Sequence, residues 1–324
     1  MLRYCGPFLF LFSIPGFYYG LGPAAPLLSV ALLLAALVGA EFLSRRGDAP
    51  SEADGTGFRV LVWLYIPLQL IAILWGTVVS AHVGAGGFAA LAVSLGVTTG
   101  VFGVLAAHEA VHSGDPREAL LGTALLTGMS YRHFRIAHLY GHHRWAGTEK
   151  DAATARLGEG FYRFFLRTLA GQFLEAWRFE RRKGSARLTL DLALMLAPFA
   201  AITFCLGLRA SFFFVCQSAI AVMVLELFNY IAHYGLVRGR DATGKLEALN
   251  DCHSWNSSNV LANRLIFNMG RHSHHHRRPT APYQSLKARR APELPFGYAT
   301  SILLALAPPL WRRVMDPKAL AWRA

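Results

Sequence analysis

The chain has 324 residues, of which 54% are hydrophobic and only 16% are charged, and its formal net charge at pH 7 is +13. A soluble protein of this size needs more charged residues to cover its surface, so the composition excludes an ordinary soluble domain and favours an integral membrane protein. No nucleic-acid-binding motif accompanies the positive charge, so we expect no nucleic acid partner.

Long apolar stretches predict about six transmembrane helices in an all-α protein. Most contain the roughly 20 residues that a helix needs to cross a hydrocarbon core. The polar stretch Arg45–Gly57 predicts a solvated loop, and no short apolar segment is followed by a cleavage site typical of a signal peptide. The predicted spans are Tyr4–Tyr19, Pro23–Phe42, Val60–Ser80, Phe88–Ala107, Leu188–Leu208 and Phe212–Ile231.

The positive charges lie on one side of these predicted helices. The links Gly20–Pro23 and Ala81–Gly87 carry no charge, whereas Ser113–Arg187 and Val237–Ala324 carry nearly all the Lys and Arg residues. The positive-inside rule then places both basic segments and both termini in the cytoplasm. We therefore expect a multi-pass protein of a bacterial-type inner (plasma) membrane.

The basic segments predict a cytoplasmic helical cap on a single membrane domain, residues 1–324. Residues 108–187 and 233–290 hold the histidine-rich parts of this cap. Within it, Phe161–Trp177 has the periodicity of an amphipathic helix, either on the membrane surface or in a soluble cap. The short apolar stretch Phe296–Leu310 is interrupted by two prolines, which favours an interfacial or re-entrant segment.

The four cysteines, Cys5, Cys205, Cys216 and Cys252, are scattered and form no Cys-x-x-Cys pair. They imply no disulfide framework, no zinc knuckle and no rubredoxin-like iron site within the chain. Any redox chemistry must therefore receive its electrons from another protein.

The thirteen histidines are the most informative feature of the sequence. His82 stands alone in a link that we place on the outer side, and His253 also stands apart. All the others fall in four groups on the cytoplasmic side: HEAVH, HFRIAHLYGHH, NYIAHYGL and RHSHHH. A lone histidine at a membrane interface is usually a satisfied polar residue, but this repeated grouping predicts a metal site.

The spacing within these groups suits metal ligation. His108 and His112 are four residues apart, so they share a helix face and both imidazoles can meet one metal. His138 and His142 repeat this spacing, and His143 is a neighbour that can reach a second metal. In the last group the spacing is one residue shorter: His272 and His275 are three residues apart, and His276 is the adjacent residue.

The number of histidines indicates two metal ions. Catalytic zinc uses three protein ligands, so eight or more histidines favour two ions of higher coordination number with positions left open for dioxygen. Two Fe(II) ions held by neutral imidazoles would keep their full charge, which nearby carboxylates should offset. The candidates are Glu109, Asp151, Glu226 and Asp251. The alternative for each of them is an ordinary charged residue at the membrane interface.

These motifs resemble the membrane-bound alkane 1-monooxygenases, within the wider group of membrane fatty-acid desaturases and xylene methyl hydroxylases. The resemblance runs from His108 to Leu286 and includes NYIAHYGL, HSWNSSNVLANRLIFNMGRHSHHH and RRPTAPYQSL. It implies two irons, with His133 and His253 as neighbours of the ligands rather than ligands themselves. The nine ligands that it implies are His108, His112, His138, His142, His143, His233, His272, His275 and His276.

The chain departs from the family pattern at three acidic positions. Ala137 and Ala232 precede implied ligands where the family commonly has Glu, and His274 stands where it usually has Asp. If those carboxylates orient imidazoles in the family, this chain must use other hydrogen-bond acceptors. The departures bear on the substrate more than on the metal site.

The resemblance implies a reaction and its partners. Two iron ions activate O2, one oxygen atom converts a terminal methyl group to a primary alcohol, and the second leaves as water using two electrons. A rubredoxin-type donor and its reductase would supply the electrons to the basic face, although positive-inside topology explains the same charges. A hydrophobic substrate would enter from the membrane lipid between the apolar faces of Val93–Ala107 and Phe213–Phe228.

Three alternatives stay open on the sequence alone. A lipid-acyl desaturase or hydroxylase, or a methyl-aromatic hydroxylase, would share the metal site and differ in cavity shape and electron donor. An intramembrane zinc peptidase would use His108 and His112 as ligands and Glu109 as base, but it leaves the other histidine groups unexplained. A metal carrier is disfavoured, because the grouped histidines all lie on one side of the membrane.

Overall fold

The computed structural model describes residues 2–47, 56–240 and 242–322, and in these ranges the protein is all-helical. No β-strand occurs among the described residues, which contain only isolated bridges such as Arg46 to Asn259. Most of the predicted loop Arg45–Gly57 lies outside the described residues, and its last two residues already belong to a helix that begins at Thr56.

Four helices are long and apolar enough to cross a membrane. They are α3 (Thr56–Ser80), α4 (Ala85–His112), α8 (Arg187–Leu206) and α9 (Leu208–His233). The first two predicted spans are also apolar helices, α1 (Gly6–Leu21) and α2 (Leu27–Leu43), with 16 and 17 residues. At 1.5 Å per residue these reach only about 25 Å, less than the roughly 30 Å of a hydrocarbon core.

The remaining helices belong mainly to the two basic segments. α5 is Pro116–Gly128, and α6 is the continuous stretch 134–145, made of Phe134–Ile136, π-helical Ala137–His142 and His143–Trp145. α7 is Phe161–Arg182, α10 is Val260–Leu265, α11 is His272–Arg277, α12 is Tyr298–Ala305 and α13 is Pro308–Ala321. Single 3-10 turns lie at Leu2–Tyr4, Asp251–His253 and Tyr283–Ser285.

The structure confirms the predicted helix at Phe161–Trp177 and extends it to Arg182. Its buried residues recur every three or four positions along one face, as an amphipathic helix requires. They are Phe161, Phe164, Thr168, Gln172, Ala176 and Glu180. The prolines in Phe296–Leu310 do more than interrupt a segment, because Pro308 begins a second helix, α13, after the eight-residue α12.

Close packing of α4 against α9 positions the histidines. A Cβ atom at Gly96 would lie 2.6 Å from Cβ of Ile220, and one at Gly100 would lie 2.6 Å from Cβ of Val224. Only glycine permits this approach of the two backbones. Because position 100 meets 224 as position 96 meets 220, the helices run parallel. Their histidine-bearing ends, near His112 and His233, therefore lie at the same end of the molecule.

Candidate metal centre

The structure brings all nine histidines of the implied ligand set into two neighbouring clusters. In each cluster, one ring nitrogen from every member lies within 4.8 Å of those of the others. We call them the five-histidine cluster and the four-histidine cluster. The first contains His108, His112, His138, His143 and His275, and the second contains His142, His233, His272 and His276.

The last turn of α4 supplies two members of the five-histidine cluster. His108 and His112 are buried, and their ring centroids are 4.6 Å apart, as expected for residues one α-helical turn apart. The predicted apolar stretch ends at Ala107 and the helix continues to His112, so the HEAVH motif lies on a helix long and apolar enough to cross a membrane.

The π-helical turn in α6 reverses the predicted pairing of the second histidine group. We expected His138 and His142 to share one metal, as residues four apart do on an α-helix. In the structure His138 and His143 share the five-histidine cluster, while His142 joins the other. The reason is that Ala137–His142 is π-helical, so residues five apart lie on one face.

The third group also divides differently from the prediction. His272 and His276, which are four residues apart on α11, have their Nε2 atoms 3.0 Å apart in the four-histidine cluster. His275 points instead to the five-histidine cluster, where its Nε2 atom is 3.2 Å from that of His143. Ordinary α-helical spacing thus applies here, and His275, one residue before His276, belongs to the other cluster.

The distances between ring nitrogens fit metal ions. In the five-histidine cluster, Nε2 of His138 is 3.0 Å from those of His112 and His143, which are 3.1 Å from each other. Three nitrogens cannot all form hydrogen bonds with one another, because each pair needs one donor and one acceptor. Nitrogens bound at about 2.1 Å and at right angles on one ion lie about 3.0 Å apart. A shared cation therefore accounts for the convergence.

The same reasoning applies to the four-histidine cluster. Nε2 of His233 is 3.2 Å from that of His272 and 3.1 Å from that of His276. Nε2 of His142 is buried and has no hydrogen-bond partner among the described residues. Four lone pairs directed at one volume need a positive charge between them.

Burial keeps these imidazoles in the neutral form that binds metals. Desolvation, followed by repulsion from neighbouring imidazoles, holds the pKa of most of them well below the usual range. The histidines concerned outside the spanning helices are His138, His143, His272, His275 and His276.

His142 is the exception because it faces a carboxylate. Its Nδ1 lies 2.8 Å from Oδ2 of Asp151, which also accepts a 2.6 Å hydrogen bond from Thr154. Burial lowers the pKa of His142, but the charge of Asp151 and this hydrogen bond outweigh burial and raise it. Burial alone would raise the pKa of Asp151, but the charge of His142 and the hydrogen bond between the two side chains lower it. The bond fixes the ring so that Nε2 faces the cluster.

His233 is oriented by a backbone carbonyl. Its Nδ1 donates to the carbonyl oxygen of His253 at 2.9 Å. The His253 ring points away from the clusters: its Nδ1 accepts from the amide of Asn250 at 3.0 Å, and its Nε2 donates to Glu247 at 2.9 Å. The side chain of His253 therefore does not contact the site, whereas its backbone does.

The other residues predicted to surround the ligands make no hydrogen bond to a clustered histidine among the described residues. Oε1 of Glu109 accepts from the backbone amide of Tyr283 at 3.0 Å, and Asp251 pairs with Arg277 at 3.0 Å. His133 is buried against the rings of Tyr131 and Phe173, and neither of its nitrogens has a hydrogen-bond partner among the described residues.

Glu226 is fully buried in α9 and receives four hydrogen bonds from neutral donors. They come from Tyr131, Gln172, Thr168 and Asn229 at 3.0, 2.8, 3.3 and 3.2 Å. These four donors satisfy both carboxyl oxygens, so Glu226 is buried without a cationic partner. It makes no hydrogen bond to a histidine among the described residues and remains a candidate for the negative charge that two nearby cations would require.

The surroundings of the residues that depart from the family pattern were not predicted from the sequence. Ala137 and Ala232 are buried, and His274 accepts a 3.0 Å hydrogen bond from the amide of Lys287, outside both clusters. The carboxylate of Glu175 on α7 lies against α6: a Cβ atom at Gly141 would be 2.9 Å from its Oε2. Burial, followed by repulsion from Asp151, raises the pKa of Glu175 to about 7. No spacing rule links position 175 to the histidine groups.

An apolar cavity ends at the clusters. It reaches His108, His138 and His272, and its walls come from both helices predicted to form them. From α4 these are Gly100, Val101, Val104 and Leu105, and from α9 Val224, Leu225 and Phe228. α2 and α12 complete the walls with Leu37, Tyr298 and Ile302. A hydrophobic molecule in this cavity would lie against histidines of both clusters.

A separate cleft approaches the five-histidine cluster from another side and is polar. Glu109 and His112 lie in its lining, together with the ion pair of Arg59 and Glu118. The two openings differ in chemistry, so apolar and water-soluble molecules can reach the same centre by different routes.

Comparisons with known proteins agree with this arrangement. The fatty acid desaturase family matches residues 86–302. Alkane 1-monooxygenase 2 of Pseudomonas aeruginosa is 38% identical over 290 residues, covering 84% of this chain and 76% of the relative. The alkane 1-monooxygenase of Pseudomonas putida is 34% identical over 325 residues, covering 95% and 79%. The hydroxylase component of the Pseudomonas putida xylene/toluene monooxygenase is 29% identical over 334 residues, covering 95% and 85%.

Proposed function

The chain belongs to the fatty acid desaturase family and, within it, to the alkane 1-monooxygenases, and we propose that its histidine clusters hold two iron ions for the terminal hydroxylation of an alkane. The observation that carries this proposal is the apolar cavity that ends at both clusters. When bound, the irons supply the activation of O2, so that one oxygen atom enters a C–H bond and the other leaves as water.

The protein's own residues bind and orient. The nine histidines are the proposed ligands, five for one iron and four for the other. Asp151 and the carbonyl of His253 hold the rings of His142 and His233, and Glu226 offsets the charge of the metals. The apolar walls exclude water and direct the end of a hydrocarbon chain toward His108 and His138.

The protein is a membrane protein, and we propose the topology that the charges predict. α1 and α2 would complete six spans, with both termini and the histidine-bearing ends in the cytoplasm and the protein in the inner membrane. The parallel course of α4 and α9 supports this, because their histidine ends share one side. Residues 108–187 and 233–290 would form the cap of a single domain, and a rubredoxin-type protein and its reductase would supply electrons.

The alternatives fit the structure less well. A zinc peptidase would use His108 and His112 and leave the other seven clustered histidines without a role. Its general base, Glu109, accepts a hydrogen bond from a backbone amide in the polar cleft. Desaturation of an acyl chain or hydroxylation of a methyl-aromatic compound would use the same centre, and the comparisons favour the alkane reaction.

Metal analysis followed by product analysis tests the proposal. Detergent-purified protein, expressed with both iron and zinc available, should contain about two irons per chain. Given a rubredoxin system, NADH and octane, it should form 1-octanol. One zinc ion without iron would overturn the proposal, and Glu109→Gln would then test the peptidase alternative. Iron without any terminal alcohol from octane or longer alkanes would redirect the search to acyl and methyl-aromatic substrates.

A further inference from the structure

A basic groove on the surface lies directly over the helix that carries three of the clustered histidines. Its floor includes Ala137 and Gly141 of α6, each next in sequence to a member of a cluster, His138 and His142. Neither floor residue has a side chain larger than a methyl group. The groove is therefore separated from both clusters only by the thickness of α6.

The rim of the groove is positively charged. Four cations line it, Arg144 and Lys150 on one side and Arg178 and Arg182 on α7, against the carboxylates of Glu149 and Glu175. All four cations are on exposed residues. A net positive rim attracts an acidic protein and orients its approach.

Aromatic side chains fix the shape of this rim. Tyr140 stacks on Phe179 with ring centroids 4.4 Å apart, and Lys183 lies over both rings. Arg144 and Lys150 lie over the ring of Trp145 at 4.9 and 4.5 Å. Cations held over aromatic faces lose less freedom on binding than free side chains, which makes the rim a preorganised surface.

The polar cleft at the other side of the centre has the opposite charge. It also reaches a clustered histidine, His112, but three carboxylates line it, Glu109, Asp115 and Glu118, against a single arginine, Arg59. An acidic protein would be repelled there. Of the two clefts, only the groove combines a basic rim with a floor formed by the histidine-bearing helix.

We propose that a small acidic one-electron carrier protein docks in this groove and delivers electrons to the metal centre through the floor at Ala137 and Gly141. The inference rests on the proposed function, whose reaction of alkane, O2, two electrons and two protons to alcohol and water needs two reduced carriers per turnover. The chain itself offers no iron–sulfur site that could supply these electrons, because its four cysteines are scattered along the sequence.

Ala137 and Gly141 leave part of the groove floor without charge and without long side chains. A docked protein can therefore approach the backbone of α6 at these two positions. This is where the groove lies nearest to His138 and His142.

The test compares two pairs of charge reversals that alter net charge equally. Arg178→Glu with Arg182→Glu changes the groove, and Arg313→Glu with Lys318→Glu changes exposed cations on α13, away from it. None of these residues contacts the clusters. Binding of a labelled acidic rubredoxin to each protein would be measured in nanodiscs of phosphatidylcholine at low and high salt.

The groove pair should raise the Kd for rubredoxin roughly tenfold at low salt and lose most of its salt dependence, while the control pair stays within about twofold of the unaltered protein. Iron content should be equal in all three. Equal weakening in both pairs, or no weakening in the groove pair, would overturn the proposal. An effect seen only with phosphatidylglycerol in the nanodiscs, with an unchanged Kd for rubredoxin, would assign the groove to lipid headgroups and also overturn it.

A single-turnover measurement separates this proposal from the proposed function. Enzyme reduced with dithionite and mixed with O2 and octane needs no carrier, so both variant pairs should form as much octanol as the unaltered protein. Absence of octanol from the unaltered protein would contradict the hydroxylase function, while the rubredoxin Kd would still decide the docking surface.

Discussion

The two histidine clusters differ in how their rings are held. In the four-histidine cluster, His142 is bonded to a buried carboxylate and His233 to a backbone carbonyl. In the five-histidine cluster, the Nδ1 atoms of His108 and His143 are buried and have no hydrogen-bond partner among the described residues. The same holds for the Nδ1 atoms of His272 and His276 in the four-histidine cluster. One cluster thus has five candidate ligands, and the other has four, of which two are oriented by hydrogen bonds at Nδ1.

This difference suggests how the chain tolerates its missing acidic residues. A carboxylate bonded to an imidazole raises its basicity and fixes its direction, so each ligand binds the metal more strongly. Asp151 does this for the cluster with four histidines. In the five-histidine cluster, where Ala137 precedes His138, no carboxylate is bonded to a ring among the described residues. That cluster has one more histidine than the other.

The largest effect should come from adjacent histidines that serve different clusters. His142→Ala leaves three histidines in its cluster, whereas His143→Ala leaves four in the other. We expect both to lower octane hydroxylation by at least about 100-fold, because each disturbs a metal ligand. Iron content should fall further in His142→Ala, toward about one per chain. Elemental analysis and octanol yield measure this, and a His142→Ala protein with two irons and full activity would remove His142 from the ligand set.

A smaller effect should follow when the orienting carboxylate is neutralised. Asp151→Asn keeps the shape of the side chain but removes the charge opposite Nδ1 of His142. We expect iron affinity, measured by competition with a chelator, to weaken by about 10- to 100-fold. Glu247→Gln is the control, because that carboxylate bonds to His253 away from both clusters. Similar losses in both variants would show that Asp151 has no special role.

The cavity allows substrate binding to be altered while the ligands are kept. Val104 lies one helical turn before His108 and lines the cavity beside it. Val104→Trp should block the cavity and reduce hydroxylation about tenfold or more, with a greater loss for longer alkanes. Val104→Ala should leave the hydroxylation of longer alkanes unchanged. Iron content should stay near that of the unaltered protein. Equal rates for octane and hexadecane in both variants would argue that substrate enters elsewhere.

Much of the architecture was predictable because it depends on long regular patterns. Twenty-residue apolar stretches predicted α3, α4, α8 and α9, and the resemblance supplied the nine histidines that the structure gathers. The ends of α1 and α2 were less predictable, because hydropathy does not show at which residue a helix begins or ends. Amphipathic periodicity predicted α7, because this pattern too repeats over many residues.

The pairing of histidines was not predictable, since it depends on local backbone geometry. The sequence HLYGHH does not show that its helix is π-helical, with hydrogen bonds between residues five apart. This geometry decides which cluster His142 and His143 join. The contact between Glu175 and Gly141 was also not predictable, because it arises from the packing of α7 against α6 across 34 residues of chain. The sequence predicted Asp151 as a candidate carboxylate near the metals but did not show which imidazole it would bond to. Short-range spacing finds ligands, and tertiary packing decides their partners.

The smallest effect should come from the one histidine that we place at the opposite end of the molecule. His82 follows α3 and precedes α4, so a helix running from Ala85 to His112 separates it from the clusters. At 1.5 Å per residue this helix is about 40 Å long, beyond the reach of any metal bond or direct hydrogen bond. His82→Ala should therefore change iron content and octane hydroxylation by less than about 20%, unlike His142→Ala. Loss of iron in His82→Ala would contradict this placement of His82. It would also show that the nine clustered histidines of one chain are not sufficient to form the metal centre.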